Sequence, residues 1–315
     1  AASCRALQIR TSGVSSFQIN AILRTAGILG GSGSQNIYRL SGTTWTSLNA
    51  PGSPICLANY AGQMTMGTLG AATCVYAFDN TAWRALGKGT PGRIAAMDAG
   101  ANDVFAGTAI RFGSFTSWSM HARDNATGTW RQLGGLADGS VNAVLVRSNG
   151  NVIATGEFAQ LDGASGRIAE WNGFVWSPLG LGIGTDAGFS VKALAETATG
   201  DIIAGGFFNT AGGQTSFAIA RWNGIGWSPI GNGIIGSVNA LAIASNGDII
   251  AAGSFTNASG TAAANIARWN GVNWLPFAGG LPNGAVYALA ILPDGSIVAG
   301  GSFDTGGATP LRSIA

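Results

Sequence analysis

Hydrophobic and polar positions alternate in short blocks along this chain, and the clearest block set is "SVNALAIASNGDIIAAGSFTNASGTAAANIARWNGVNWLPFAGG" (237–280). "VNALAIA" (238–244) is an apolar run long enough for one buried strand, and "SNGD" (245–248) is a glycine-containing hairpin turn leading into "IIAAGSF" (249–255). A loop of small residues follows, then "NIARW" (265–269), an Asn-Gly pair and "VNWLPF" (272–277). The runs are too short and too often broken by glycine for helices, so the pattern predicts four strands per unit. At "RWNGIGW" (221–227) the spacing predicts a two-residue Asn223-Gly224 turn with positive φ at both residues.

The block set repeats. The tryptophan that closes it recurs at Trp45, Trp83, Trp130, Trp176, Trp227 and Trp274, in steps of 38 to 51 residues. Such periods belong to propeller blades, each a small four-stranded sheet that buries both faces only when stacked against its neighbours. First strands are expected to begin near Cys4, Ile55, Ile94, Val141, Val191, Val238 and Val286, which makes seven starts against six tryptophan endings. The predicted fold is therefore an all-β propeller of four-stranded blades in one domain, 1–315, with seven blades and the last incomplete; six blades is the alternative. The units run 4–52, 53–92, 93–139, 140–189, 190–236, 237–284 and, in part, 285–315. An unfinished seventh blade would leave an apolar edge unpaired, so the sequence leads one to expect a "WNG"-like hairpin beyond Ala315 or another chain over that edge. The glycine pairs Gly205-Gly206 and Gly300-Gly301 fit places where backbones approach closely.

Composition narrows the partners. Only 10% of residues are charged and the formal net charge is +2, against roughly 25% charged in an average soluble domain. No basic stripe exists for a nucleic-acid backbone, and the longest apolar stretch, 238–255, is interrupted by Ser, Asn, Gly and Asp, so no membrane insertion is expected. Lysine occurs only at Lys88 and Lys192, and small polar residues abound, a balance suited to an extracellular, cell-surface or virion-surface protein. Three cysteines, Cys4, Cys56 and Cys74, make neither a disulfide framework nor a zinc site. Cys56 and Cys74 fall on strands two apart in one unit and are expected to stay reduced.

The pattern "NALAIASNGDIIAAGSFTNASG…IARWNGVNWLPF" resembles the bacterial tandem repeats called delta-sixty propeller repeats and, more distantly, kelch repeats with their glycine pair followed by a spaced aromatic and Trp. It is also similar to the repeats of a fungal cortical polarity marker. The resemblance is strong over 140–315. Over 1–139 only the frame survives, in "IYRLSGTTW", "VYAFDNTAW" and "HARDNATGTW". It implies a β-propeller from a secreted, surface-attached or bacteriophage structural protein, with no enzyme activity, no cofactor and no catalytic residues.

Few residues stand out as chemistry. "GNGIIG" (231–236) satisfies a dinucleotide fingerprint, but a strand follows where that motif needs a helix, so it reads as a turn between blades. Trp171, Trp222 and Trp269 would suit either sugar stacking or packing between blades, and their fixed strand positions favour packing. Arg39, Arg123, Arg221 and Arg268 recur early in third strands and are expected to bind carbonyls or acidic neighbours. Asp201, Asp248 and Asp294 read as turn residues, and Asn125 and Asn257 open formal glycosylation sequons.

Two residues are candidates for contact with a partner. Trp118, in "GSFTSW" (113–118), falls in what reads as a loop before a third strand and has no counterpart in other units; His121, the only histidine, is expected half-exposed at the start of that strand. No metal or cofactor site is expected, and a copper oxidase of the kelch type is disfavoured by one His and four Tyr. The expected function is non-catalytic recognition or adhesion, with a protein or glycan partner at the loop face and a place in a larger chain or assembly. The alternatives are a purely architectural repeat and, less favoured, a lectin-like propeller.

Overall fold

The computed structural model describes residues 127–303 except 185, 278–279, 292–294 and 296, and outside that span residues 7–9, 17–23, 28–32, 37–41, 44–52, 54–60, 63–68, 75–86, 92–100, 103–112, 115–124, 305–306 and 309–310. Every regular element among them is a β-strand, and the chain is a β-propeller. The leading strands of successive sheets are Phe17–Leu23, Pro54–Tyr60, Arg93–Ala99, Val141–Val146, Ser190–Glu196, Ile234–Ile243 and Val286–Ile291. Each packs against the next, and Val286–Ile291 packs back against Phe17–Leu23, closing the ring. Behind each of the first six, three more strands follow in antiparallel order; in the seventh sheet Ile297–Gly301 pairs with the leading strand.

The core lies between sheets. One buried cluster joins Ala96, Met120 and Leu133 to Val141, Phe158 and Trp176, and another joins Ile153 and Ile168 to Val191, Ile202 and Trp227. Four of the closing tryptophans have a further task, because their indole N–H reaches a carbonyl in or just after the preceding sheet: Trp83 to Leu48 O (2.9 Å), Trp176 to Leu133 O (2.8 Å), Trp227 to Leu179 O (2.8 Å) and Trp274 to Ile230 O (3.1 Å), whereas Trp130 Nε1 is buried without a partner. A tryptophan fills the gap and satisfies its one donor there, which explains why this residue recurs rather than Phe or Leu. Trp171, Trp222 and Trp269 lie tilted against these partners at centroid distances of 5.5, 5.5 and 5.6 Å, as packing residues.

Every leading strand carries a register break near its start, between Ile19/Ala21, Pro54/Cys56, Ile94/Ala96, Val141/Ala143, Val191/Ala193, Val238/Ala240 and Val286/Ala288. Such a bulge bends the strand and re-aims one side chain. The re-aimed residues link sheets: Lys192 Nζ donates to Ser237 Oγ (3.0 Å), Ser237 Oγ to Asn239 Oδ1 (3.1 Å), and Asn239 Nδ2 to Val286 O (3.0 Å). The bulge also explains the glycine pair in the fifth sheet. A Cβ on Gly206 would strike Ser190 O, and one on Gly205 would meet the Val238 side chain of the next sheet.

Two expectations need correction. The first sheet does not lead with the segment near Cys4: its leading strand is Phe17–Leu23, and Leu7–Ile9 pairs ahead of it while packing against Ile297–Gly301. The Asn-Gly hairpin is not a two-residue turn. Trp222 pairs with Trp227, leaving Asn223–Gly226 as a four-residue loop in which Asn223 Oδ1 accepts both Ile225 N (3.0 Å) and Gly226 N (2.9 Å). Only Gly224 there has positive φ, so the Asn serves as a side-chain cap of an Asx turn. Two of the recurrent arginines do bind acidic neighbours as expected, and these are the turn aspartates: Arg221 grips Asp201 and Arg268 faces Asp248 at 3.5 Å. Where Glu170 replaces the arginine, Arg147 reverses the pair at 2.6 Å and also binds Glu196 of the fifth sheet. Cys56 is a buried free thiol; Cys4, Cys74 and Asn125 lie outside the described residues.

Candidate functional site

The structure places Trp118 inside the nine-residue strand Phe115–Arg123, opposite Ala109 and Ala137, not in a loop. It is half-buried against the core between the third and fourth sheets. His121 is on the same strand and is buried, at 3% exposure, with Nδ1 3.1 Å from Thr108 Oγ1. Burial lowers its pKa to about 4, so the imidazole stays neutral near pH 7. The strands Val104–Phe112 and Phe115–Arg123, nine residues each, carry both residues inside a paired sheet instead of at a loop. Asp98 is a second buried group whose titration is displaced. Its oxygens accept Ala99 N (2.9 Å) and, across the gap to the fourth sheet, Val146 N (2.8 Å), yet desolvation raises its pKa to about 7.

The surface with a built concavity is elsewhere. Leading strands start, second strands end and third strands begin at one end of the ring; the Asn-Gly loops lie at the other. At the first end, three connections between sheets are pinned by the same backbone bond: Ile183 N to Gly166 O (2.9 Å), Ile234 N to Phe217 O (2.9 Å) and Leu281 N to Ala264 O (2.8 Å). The next residue in each case, Arg167, Ala218 or Asn265, has positive φ. Arg167 is 6% exposed and uses its guanidinium as a bridge, donating to Gly184 O (2.7 Å), Glu157 O (2.6 Å) and Asp186 O (2.7 Å). Asn265 bridges likewise, donating from Nδ2 to Leu281 O (2.8 Å) and Gly284 O (2.6 Å) while Oδ1 accepts Phe255 N (2.9 Å).

Between the fifth and sixth sheets the equivalent residue, Ala218, is buried and carries only a methyl group, and a cleft of about 550 Å³ is lined by its chain neighbour Phe217. Its lining includes Phe189, Phe207, Phe217, Ile235, Asn209 and Asn257. Phe189 and Phe207 meet edge to face at 5.8 Å, and Phe207, Phe217 and Ile235 are 48%, 45% and 67% exposed. Gly233 keeps the floor low: its φ is +81°, and a Cβ would meet Phe217 O at 2.7 Å. "GNGIIG" is thus an inter-sheet turn that forms one wall of the cleft. Asn257 Oδ1 already accepts Gly260 N (2.7 Å), and Ser259 Oγ accepts Asn232 N (2.7 Å). Asn209 Oδ1, by contrast, is buried without a hydrogen-bond partner. No charged side chain lines the cleft.

Sequence reasoning missed these residues, although aligned repeats carry the signal. The position of Phe207 holds Glu157, Ser254 and Ser302 in neighbouring units, and that of Ala218 holds Arg167 and Asn265. The informative residues are those that break the repeat. Among the described residues, no three His, Cys, Asp or Glu side chains gather as metal ligands, and no helix is long and apolar enough to cross a membrane.

Residues 244–271 match a family described as a domain of unknown function (DUF5122) beta-propeller. No curated protein matches the chain in sequence. The fold is similar to the extracellular domain of BT4673 from B. thetaiotaomicron, with TM-score 0.62 and 10% identity over 96% of this chain; the chain spans 38% of that one's length. It is also similar to the WD40 beta propeller domain of Doa1, with TM-score 0.60 and 13% identity over 100% of this chain and 97% of that one. YCF48, solved bound to D1 peptide, has TM-score 0.60 and 13% identity over 96% of this chain and 94% of its own.

Proposed function

We propose that this propeller is a non-catalytic recognition module that binds a protein partner through the end of the ring carrying the cleft. The observation behind this reading is the cleft between the fifth and sixth sheets, where Phe207, Phe217 and Ile235 stand exposed around a concavity of about 550 Å³. Apolar surface gathered in this way marks binding sites far more often than chance exposure does. The peptide-bound propeller YCF48 supports a protein partner by analogy of fold. The cleft has neither a charged side chain nor a histidine in its lining, which supports recognition there over catalysis. The module acts outside the cell or on a cell or virion surface, as an adhesive or sensing part of a longer chain built from repeats of the delta-sixty kind. The low charge and scarce lysine support that location, as does the extracellular domain of BT4673.

The test is selection of a displayed random-peptide library on the immobilised propeller. Enriched peptides are expected to bind Phe207→Ser and Phe217→Ser variants about tenfold more weakly, the loss of roughly 1.4 kcal/mol of apolar contact, with the melting temperature little changed. Absence of enrichment, or equal binding by the variants, would overturn the reading.

A further inference from the structure

Resting on that recognition reading, we infer that the cleft takes an aromatic side chain carrying one hydrogen-bond donor, a tryptophan or tyrosine in a peptide, and that Ala218 is the residue that leaves room for it. The argument for room comes from the repeat itself. In the fourth and sixth sheets the residue at this place fills the junction, Arg167 reaching Glu157 O, Gly184 O and Asp186 O, and Asn265 reaching Leu281 O and Gly284 O. Counted from the pinned backbone bonds, Leu281 corresponds to Ile234, and Gly284 corresponds to Gly236 two residues before the Val286/Val238 strand position. Both line the cleft. A bridging side chain at Ala218 would therefore occupy the space now open.

The ligand class follows from the lining. No charged side chain contributes, so a charged group would lose its water shell without compensation. The faces offered are aromatic and aliphatic, from Phe189, Phe207, Phe217 and Ile235. Asn257 Oδ1 and Ser259 Oγ are committed within the chain, which leaves Asn209 Oδ1 as the buried acceptor without a partner. A sugar, with a hydroxyl on nearly every carbon, would bury several polar groups against one acceptor. An indole N–H or a phenol O–H presents one donor on an apolar body, and the site offers one buried acceptor in an apolar wall, with Asn232 at its exposed rim.

The experiment is a ligand-observed NMR titration of the whole chain with N-acetyl-tryptophanamide, N-acetyl-phenylalaninamide and N-acetylglucosamine. Wild type is expected to bind the tryptophan amide in the millimolar range, about tenfold more tightly than the phenylalanine amide, which has no side-chain donor. Asn209→Ala is expected to abolish that preference while still binding both weakly, a readout that a loss of folding would not produce. Ala218→Asn, which places at φ +57° a residue that tolerates this conformation, is expected to keep or raise the melting temperature and lose binding by tenfold or more. Ala218→Arg, on the pattern of Arg167, is the second variant if the first does not fold. Undiminished binding by both folded Ala218 variants, an unchanged Trp/Phe ratio in Asn209→Ala, or binding of N-acetylglucosamine in preference to either amide would overturn the inference. The two readings fail separately. Library peptides that lose affinity for Phe207→Ser yet contain no tryptophan or tyrosine would leave the recognition reading standing and sink this one.

Discussion

Replacing Trp227 with alanine is expected to destabilise the fold by about 3–5 kcal/mol, measured by urea denaturation. The indole is 5% exposed in the core shared by the fourth and fifth sheets and lies tilted against Trp222. Two losses combine. The cavity left between stacked sheets cannot collapse, because the backbone on each side is held by its own ladder. Leu179 O also loses the indole N–H at 2.8 Å and keeps only Gly182 N at 3.1 Å. Trp227→Phe separates the two, keeping most of the volume and losing the donor, and is expected to cost about 1–2 kcal/mol. A cost below about 1 kcal/mol for the alanine variant would mean that the tryptophan frame does not hold adjacent sheets together.

The second large effect belongs to Asp98. Removing its carboxylate in Asp98→Ala leaves Ala99 N and Val146 N buried without an acceptor and is expected to cost about 3 kcal/mol. The same group makes stability depend on pH. Its folded pKa is raised from 3.8 to about 7, so the native state keeps a proton that the unfolded chain has released. Its contribution is full below pH 3.8 and is lost as pH rises through about 7. His121 works in the opposite sense. Its folded pKa is lowered from 6.5 to about 4, so its contribution is full above pH 6.5 and is lost as pH falls through about 4. Each slope is about 1.4 kcal/mol per pH unit where only one state is protonated. Between about pH 4.5 and 6.5 the two nearly cancel, and wild type is expected to be flat. His121→Gln should then lose stability with rising pH in that window, and Asp98→Asn should gain it. Parallel curves for all three proteins would refute the assignment.

Much of this architecture is legible in the sequence because it repeats. The closing tryptophans and the hairpin turns recur at blade spacing, and at Trp176, Trp227 and Trp274 burial between sheets demands the indole. Where the first unit departs from the pattern, the frame slipped: "CRALQIRTSG" alternates and ends in a turn, so it passes for a leading strand, while "FQINAILRTAGILGG" (17–31), which holds the true one, lacks the Asn-Gly-Asp turn seen later. The Asn223 loop was misjudged because Asn-Gly signals a two-residue turn only when the strands pair directly beside it, and here Asn223 Oδ1 caps a wider loop.

The site was less legible for a physical reason. Trp118 drew notice by having no counterpart, yet its strand continues beneath it and packs it against the core. Phe207 and Ala218 look unremarkable one at a time. Their meaning appears only against Glu157, Ser254, Arg167 and Asn265 at the same places in neighbouring sheets, once the junction those side chains close is seen in three dimensions.

The central claim is that recognition occurs at the end of the ring where the leading strands begin. Hydrogen exchange of the propeller with and without a library-selected peptide tests it most directly. The account predicts slowed exchange in 207–218 and 232–236, around the cleft, with 172–175, 223–226 and 270–273 at the opposite end unchanged. Protection confined to those Asn-Gly loops, where Phe174, Ile225 and Val272 are exposed, would contradict it.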